Sequence, residues 1–294
     1  MNPTDAPDEC VRGVAHGGEV KVVAARTTAT IAELIRRHDA GPIGAMAIAR
    51  VGTAAALLAA GLKDRQQVAV QVNGDGPVGE VYAIADVSGR LRLAIHGPHA
   101  EAPDGKLKLG PAIGRGRLSI VRKLAEDEPP YRGVVELVDG EIGSDVAEAL
   151  MVSEQVHSAV GVGEKLGPEG LIAAGGFLIQ ALPGASEATL KSIEARVGVL
   201  PPLGELLAEG QTPVEILEWL VDDLTVLART HVHHECPCSR EQFARYLIGL
   251  GVAEIESLIE TNEITEVSCH FCGDHYQFDR EQMRALRYGA QHMN

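Results

Sequence analysis

The 294-residue sequence predicts an α+β fold in which a helical linker joins a large N-terminal domain to a small C-terminal domain. Three observations lead to this prediction. Segments between residues 67 and 138 alternate apolar and polar residues, as strands do. Residues 186–230 carry apolar residues at the spacing of amphipathic helices. Four of the five cysteines follow residue 235, in one C-x-C pair and one C-x-x-C pair.

The N-terminal segment is predicted to be a loose tail followed by a helix. Residues 1–18 are polar and rich in glycine, and Cys10 within them is interpreted as a spare thiol without a partner. Thr30 and Glu33 form a capping-box pattern, in which each side chain bonds a backbone amide at the start of a helix. A helix is therefore expected from this point to His38.

The next segment is the one candidate for a membrane span that the sequence offers. Residues 44–62, GAMAIARVGTAAALLAAGL, are mostly alanine and glycine and are interrupted by Arg50. This composition is weakly apolar for a membrane helix, so we interpret the segment as a buried helix of a core. The first ten residues contain no apolar stretch typical of a secretory signal. We therefore expect a cytoplasmic protein without a membrane partner.

The rest of the first domain is predicted to be a mixture of strands and one helix. Segments 67–72, 80–85 and 90–95 alternate and are separated by turns of Gly and Asp, which indicates an antiparallel meander. The remaining elements are expected as strands at 117–122 and 133–138, a helix at 144–156 and a strand at 177–182. Pro183 and Gly184 then end a mixed α/β core domain that covers residues 1–183.

Residues 184–230 are predicted to be a helical linker. Thr212 and Pro213 mark the start of one of its helices, since proline is favoured at the first helical position. An apolar stripe on that helix consists of Val214, Leu217, Leu220 and Val221. The linker has too few apolar residues to form a core of its own, so we expect it to pack on a neighbouring domain.

The C-terminal domain, residues 231–294, is predicted to contain short helices and one hairpin. Ser239 and Gln242 form a second capping box, so a helix should begin directly after Cys238. A short second helix follows, and strands at 264–268 and 275–279 should be joined by a turn that contains two of the cysteines. Asp279 is expected to cap a final helix.

The cysteine pairs are the candidate functional site. Zinc favours sets of four thiolates in tetrahedral geometry, and C-x-x-C-G between two strands is a common zinc-binding turn. The candidate ligands of one Zn²⁺ are Cys236, Cys238, Cys269 and Cys272. Two alternatives stay open on the residues alone: a zinc ribbon that only stabilises the domain, and two local disulfides. Nearby histidines could replace a ligand, but with four cysteines available we interpret them as solvated; they are His231, His233, His234, His270 and His275.

Charge and missing motifs exclude several classes of function. The net charge of −15 argues against a nucleic-acid partner, which requires a basic surface. The sequence contains no P-loop, nucleophile elbow or H-E-x-x-H motif, so ATP-driven or hydrolytic activity has no support and we expect a protein that is not an enzyme.

With these residues in view, the chain resembles the heat shock protein 33 family of redox-regulated holdase chaperones. The C-terminal part of the resemblance is HHECPCSREQFARYL (233–247) and ESLIETNEITEVSCHFCGDHYQF (256–278). Further matching segments lie in the first domain: VAVQVNGDGPVGEV (68–81), PYRGVVEL (130–137), SEQVHSAVGVG (153–163) and GGFLIQALPGA (175–185). The combination covers most of the chain and is more specific than any one segment.

The resemblance implies a function as well as a fold. In this family the reduced protein holds Zn²⁺ through four thiolates. Oxidation releases the zinc and forms disulfides, here Cys236–Cys238 and Cys269–Cys272. The linker then loosens, and the protein binds unfolded or oxidatively damaged client proteins without ATP, often as a homodimer. We expect the apolar stripe of the linker to take part in client binding.

Two other functions remain as alternatives. The first is a constitutive protein-interaction module built on a zinc ribbon, without a redox switch. The second is a thiol-disulfide oxidoreductase, for which C-x-x-C beside a βαβ pattern would be expected and is not found.

Overall fold

The computed structural model describes residues 6–63, 66–123 and 129–291. The chain divides into two compact units, Met1–Glu235 and Cys236–Asn294. The first unit contains two sheets and most of the helices, and the second contains helices and one hairpin. The α+β fold predicted from the sequence is therefore confirmed.

The first unit contains eleven strands and seven α-helices among the described residues. Its strands are β1 (Glu9–Ala15), β2 (Val20–Arg26), β3 (Gln67–Gly74), β4 (Glu80–Asp86), β5 (Arg90–Ile95), β6 (Gly116–Lys123), β7 (Tyr131–Glu136), β8 (Ser158–Gly167), β9 (Gly170–Ala181), β10 (Thr225–His231) and β11 (His233–His234). Its helices are α1 (Thr28–Arg37), α2 (Pro42–Ala59), α3 (Leu109–Ile113), α4 (Gly143–Glu154), α5 (Glu187–Gly198), α6 (Leu203–Ala208) and α7 (Pro213–Leu220).

The strands form two sheets. The order is β10-β1-β2-β9-β8 in the five-stranded sheet and β11-β5-β4-β3-β6-β7 in the six-stranded sheet. Strands β3, β4 and β5 pair in sequence and antiparallel, which confirms the predicted meander. The short strand β11 is the exception, because it runs parallel to β5.

Helix α2 is the central element of the core. It contacts strands of both sheets, and nearly every residue between Ile43 and Ala59 is buried. Alanine and glycine allow this close packing: a Cβ on Gly44 would lie 2.1 Å from the carbonyl oxygen of Pro98. Among the described helices, α2 is the one whose length and hydropathy would permit a membrane span. In the folded protein, 89% of its eighteen residues are buried. The interpretation as a core helix is therefore confirmed.

The linker helices α5, α6 and α7 pack against the five-stranded sheet, as expected from the sequence. Leu217 and Leu220 are fully buried, and they share a cluster with Val22 and Phe177 of that sheet. The linker therefore lies within the first unit, and its apolar stripe is covered by the sheet.

Two predictions about the N-terminal segment are wrong. Residues 9–15 are not a loose tail but strand β1, which lies between β10 and β2 in the sheet; residues 1–5 lie outside the described part. Cys10 consequently belongs to the core, with 4% of its surface exposed, and its thiol donates a hydrogen bond to the carbonyl oxygen of Ala56 at 3.7 Å.

The helical prediction for the end of the linker is also wrong. Residues 225–231 form β10, which pairs antiparallel with β1. Directly after it, His233 and His234 pair with β5. These pairings explain why the boundary between the units falls after Glu235, a few residues beyond the predicted start of the C-terminal domain at residue 231.

The second unit follows the sequence prediction closely. It consists of α8 (Arg240–Gly249), α9 (Val252–Thr261), β12 (Ile264–Ser268), β13 (His275–Asp279) and α10 (Arg280–Gln291). The Ser239 hydroxyl accepts the amide of Gln242 at 3.2 Å, and the Asp279 carboxylate accepts the amide of Gln282 at 2.8 Å. The buried apolar cluster of this unit is small and comprises Leu247, Ile255, Phe278, Met283 and Ala290.

Candidate metal centre

Cys269 and Cys272 lie in the tight turn between β12 and β13. The amide of Cys269 donates to the carbonyl of Asp274 at 2.9 Å, and the amide of Gly273 donates to the carbonyl of Cys269 at 2.8 Å. Gly273 has a φ of +73°, in the left-handed region that favours glycine. The turn therefore requires the glycine that follows the second cysteine, as in a zinc-binding C-x-x-C-G turn.

Cys236 and Cys238 lie immediately before α8, with Pro237 between them. Ser239 is the N-cap of that helix and fixes the direction in which the chain enters it. The segment from α8 to β12 then folds back, so that residues more than thirty positions apart meet at one place.

The four sulfurs form one cluster. All four Sγ atoms lie within 4.8 Å of one another. The Sγ atoms of Cys236 and Cys269 are 3.7 Å apart, and those of Cys238 and Cys272 are 3.3 Å apart. These distances exceed the disulfide bond length of about 2.05 Å, and none of the described cysteines forms a disulfide.

The size of the cluster suits a tetrahedral metal ion. With metal–sulfur distances of about 2.3 Å, the sulfurs of a tetrahedral site lie about 3.8 Å apart. Four thiolates select soft or borderline ions such as Zn²⁺. The arrangement therefore forms a possible metal-binding site with four protein ligands.

Electrostatics explains why a cation would complete this site. Burial raises the pKa of the Cys236 thiol to about 11 and also raises the pKa of Cys272. Burial acts on Cys269 in the same direction, but hydrogen bonds from the amides of Phe271 and Cys272 outweigh it and lower its pKa. Protein groups thus favour the thiolate at Cys269 and oppose it at Cys236 and Cys272, so deprotonation of these two thiols requires the positive charge of an ion.

Tyr276 is a functional candidate that the sequence reasoning missed. Its hydroxyl lies 3.2 Å from Cys238 Sγ, and its ring lies 4.9 Å from that of Phe243. The contact with Cys238 raises the pKa of Tyr276, which keeps the hydroxyl protonated and able to donate. The sequence indicated this role of Tyr276 in one way only, through its position on β13, four residues after Cys272.

The histidines named as alternative ligands do not join the cluster. In the described part of the chain, the only group found that could hold a metal consists of the four cysteines. His231 and His234 bond through Nδ1 to the carbonyl oxygens of Asp8 and Leu91, at 2.8 and 3.1 Å. His275 bonds to Glu266 at 2.8 Å.

The predicted client-binding residues lie in the first unit. Leu217, Leu220 and Val221 are buried in the cluster beneath the linker helices, and Val214 is partly buried beside them. In this state of the protein, therefore, the stripe is not available to a partner.

Comparison with known proteins agrees with this geometry. The family model described as Hsp33 protein matches residues 8–279. The 33 kDa chaperonin of Bacillus velezensis is 39% identical over 286 residues, which cover 95% of this chain and 98% of the relative. The protein of the same name from Bacillus subtilis is 38% identical, with the same coverage.

A solved structure gives the same result. The crystal structure of the 33 kDa chaperonin, heat shock protein 33 homolog, from Thermotoga maritima superposes with a TM-score of 0.91 at 26% identity. The match covers 97% of this chain and 99% of the other. The chain therefore belongs to the Hsp33 family.

Proposed function

We propose that this protein is a redox-regulated, ATP-independent holdase chaperone that protects unfolded and oxidatively damaged proteins from aggregation. The observation that carries the proposal is the cluster of four cysteines without a disulfide, whose sulfurs lie within 4.8 Å of one another in a unit with a small core. Membership of the Hsp33 family and the name chaperonin of its relatives support it.

In the reduced state, the thiolates of Cys236, Cys238, Cys269 and Cys272 would hold one Zn²⁺. Zinc supplies about 10–16 kcal/mol of apparent binding free energy in such sites. A typical domain is stable by only about 5–15 kcal/mol, and five buried apolar residues make a small core. The folded state of the second unit therefore depends on the metal.

Oxidation would convert the same sulfurs into two disulfides, Cys236–Cys238 and Cys269–Cys272. In each pair, two thiolates lose two electrons to one molecule of peroxide, which takes up two protons and leaves as two molecules of water. Sulfur contacts also cross between the two motifs, from Cys236 to Cys269 at 3.7 Å and from Cys238 to Cys272 at 3.3 Å. Disulfides within each motif therefore release the connection between the two halves of the unit.

The disulfides cannot replace the metal as a source of stability. They close loops of three and four residues, which restrict the unfolded chain far less than a link across more than thirty residues. Loss of the metal would therefore unfold the second unit. We propose that the linker loosens when the second unit unfolds, so that the apolar stripe formed by Val214, Leu217, Leu220 and Val221 becomes available to apolar segments of client proteins.

The active form would be a homodimer in the cytoplasm, where thiols are kept reduced until oxidative stress occurs. The protein would not be an enzyme, since peroxide serves only to change its state.

The decisive experiment measures zinc content and suppression of client aggregation on the same sample. Both are measured in the reduced protein, after peroxide at raised temperature, and again after reductant. We expect zinc loss together with a reversible gain of holdase activity. Activity that is independent of oxidation would support a constitutive zinc-ribbon module, and turnover of a small disulfide substrate would support an oxidoreductase.

A further inference from the structure

The segment that precedes the first cysteine occupies the edges of both sheets. Residues 225–235, which we call the strap, contribute β10 to the five-stranded sheet and β11 to the six-stranded sheet. β10 covers the outer edge of β1, and β11 covers the outer edge of β5. Among the described strands, none other pairs with these two edges.

Main-chain hydrogen bonds hold most of the strap. The amide of Val232 donates to Asp8 O at 3.1 Å, and the amides of His233 and Glu235 donate to the carbonyls of Gly89 and Leu91 at 3.0 and 3.2 Å. Such contacts depend on an extended backbone and hardly on the identity of the side chains.

Apolar side chains contribute little to the binding of the strap, although His231 and His234 bond through Nδ1 to the carbonyl oxygens of Asp8 and Leu91. Val226 and Leu227 are 39% and 56% exposed, and a bulge opposite Gly13 interrupts the register. The ion pair between Arg229 and Glu9 is also partly exposed. Val232 is the exception, because it is 2% exposed and packs into the main core.

The strap is therefore a segment of low local stability with one apolar anchor. Segments with few buried apolar contacts and exposed backbone hydrogen bonds are the first to open. The last residue of the strap, Glu235, directly precedes Cys236, so no spacer separates the sheet edge from the first cysteine ligand. A structural change at Cys236 acts on the strap through one peptide bond.

We propose that the strap is an internal substitute for client polypeptide, and that its release opens the edges of β1 and β5 for an extended segment of an unfolding protein. This inference deepens the proposed chaperone function and rests on it. A free sheet edge presents unpaired amides and carbonyls that only an extended chain can satisfy. The edges tolerate varied side chains, because the strap itself leaves most of its own exposed. This property suits a protein that binds many sequences.

The register of β10 against β1 identifies the amides of the strap that donate hydrogen bonds to the edge of β1. Val232 N donates to Asp8 O, and alternate amides of a strand point to the same side. The amides of Ala228 and Thr230, opposite Arg12 and Cys10, therefore face β1 as well. Methylation of these two nitrogens would remove the hydrogen bonds and leave every side chain in place.

The test uses a fluorescein-labelled peptide of the strap sequence, TVLARTHVHHE, and the full-length protein. Fluorescence anisotropy should show binding to the oxidised, zinc-free protein at least tenfold tighter than to the reduced, zinc-loaded protein. The peptide methylated at the nitrogens of Ala228 and Thr230 should bind the oxidised protein at least tenfold more weakly. Equal binding of the methylated peptide, or no binding of the unmodified one, would overturn the proposal.

A variant tests the same idea without oxidation. Val232→Ser removes the apolar anchor, so the reduced protein should bind the peptide while it retains its zinc. Leu227→Ser is the matched control, since Leu227 is exposed, and it should behave as the wild type. A folded Val232→Ser protein that binds no peptide would contradict the proposal. If this variant does not fold, the proposal is decided by the binding of the unmodified and methylated peptides to the wild-type protein.

Peptide binding and holdase activity are measured separately. If the oxidised protein binds the unmodified peptide but does not suppress aggregation, the chaperone proposal fails while the assignment of the edges stands. If it suppresses aggregation and binds no peptide, the edges are not the client site and the chaperone proposal stands.

Discussion

The hydroxyl oxygen of Tyr276 lies 3.2 Å from the sulfur of Cys238, so a side chain from β13 reaches the cysteine that precedes α8. When Cys238 is a thiolate, the protonated Tyr276 hydroxyl is the donor of this bond and stabilises the negative charge on the sulfur. A group that bonds a metal ligand in this way fixes its position and its charge. Tyr276 is therefore part of the candidate metal centre, although it is not one of its ligands.

Tyr276→Phe should weaken metal binding without unfolding the second unit. The ring would still pack on Phe243, while the hydrogen bond to Cys238 would be lost. Loss of such a bond lowers metal affinity by about 10- to 100-fold. Competition with a chromophoric zinc chelator measures this change. Tyr246→Phe is the control, since its hydroxyl bonds Gln242 instead, and equal zinc affinity in both variants would contradict the prediction.

Metal removal should unfold the second unit and leave the first one folded. The two units have separate apolar clusters, and only the second contains the four cysteines. Treatment of the reduced protein with a chelator, or the substitution Cys272→Ser, should abolish amide protection in α8 and α10. Hydrogen exchange measures both units in one experiment. Protection of α8 and α10 that survives zinc removal would show that the metal is not required for folding.

Leu217→Ser combined with Leu220→Ser should reduce the protection of clients by the oxidised protein. Both side chains are fully buried beneath the linker in this structure, and both belong to the stripe proposed to bind clients. Light scattering of an aggregating client measures the effect. Val199→Ser, at an 80% exposed position, is the control. Undiminished protection by the double variant would remove the stripe from the proposed mechanism.

Arg50→Met should strongly destabilise the first unit. Arg50 of α2 donates two hydrogen bonds to Glu164 of β8, at 2.8 and 2.9 Å, and the Glu164 side chain is only 4% exposed. Removal of one partner leaves a buried carboxylate unpaired, which costs about 3–5 kcal/mol of unfolding free energy.

Urea unfolding of the reduced protein measures this loss. The control is Arg117→Met, because the ion pair of Arg117 with Glu136 is more than 65% exposed on both sides. Loss of this exposed ion pair should lower the free energy of unfolding by at most about 1 kcal/mol. Similar losses in the two variants would show that Arg50 and Glu164 do not act as a buried pair.

Cys10 should not react with alkylating agents in the folded protein. Burial raises the pKa of its thiol to about 12, so at pH 8 roughly one molecule in ten thousand carries the reactive thiolate. Because ionisation is opposed in the folded state, the rate of modification should rise as pH approaches 12 or when the first unit unfolds. Mass spectrometry after iodoacetamide treatment identifies the modified residue. Modification at pH 8 as fast as that of glutathione would contradict the burial of Cys10.

The second unit could be predicted from sequence almost element by element, for local reasons. Ser239 and Asp279 cap helices through contacts with residues three positions away, and the C-x-x-C-G turn fixes the hairpin. Each of these signals lies within a few residues of the structure it determines. The four ligand candidates followed from cysteine spacing alone, and the structure brings them together.

The elements that could not be predicted depend on distant partners. β10 contains Val226, Leu227 and Ala228, a sequence compatible with a helix, and it becomes a strand because β1 at the other end of the chain pairs with it. β1 itself is short, with Glu9, Arg12 and Gly13 among its seven residues, and is stabilised by two neighbouring strands. Tyr276 was missed for a similar reason, since its partner Cys238 is far away in sequence.

The burial of α2 has a consequence for the biosynthesis of the protein. The helix ends at Ala59, but β8 and β9, which cover it on one side, end only at Gly167 and Ala181. At about 5–20 residues per second, a ribosome needs roughly 6–25 seconds to add this part of the chain. During that interval, one side of this apolar helix of eighteen residues lacks the strands that cover it in the folded protein. A protein proposed to protect others from aggregation thus passes through a stage in which it needs the same protection.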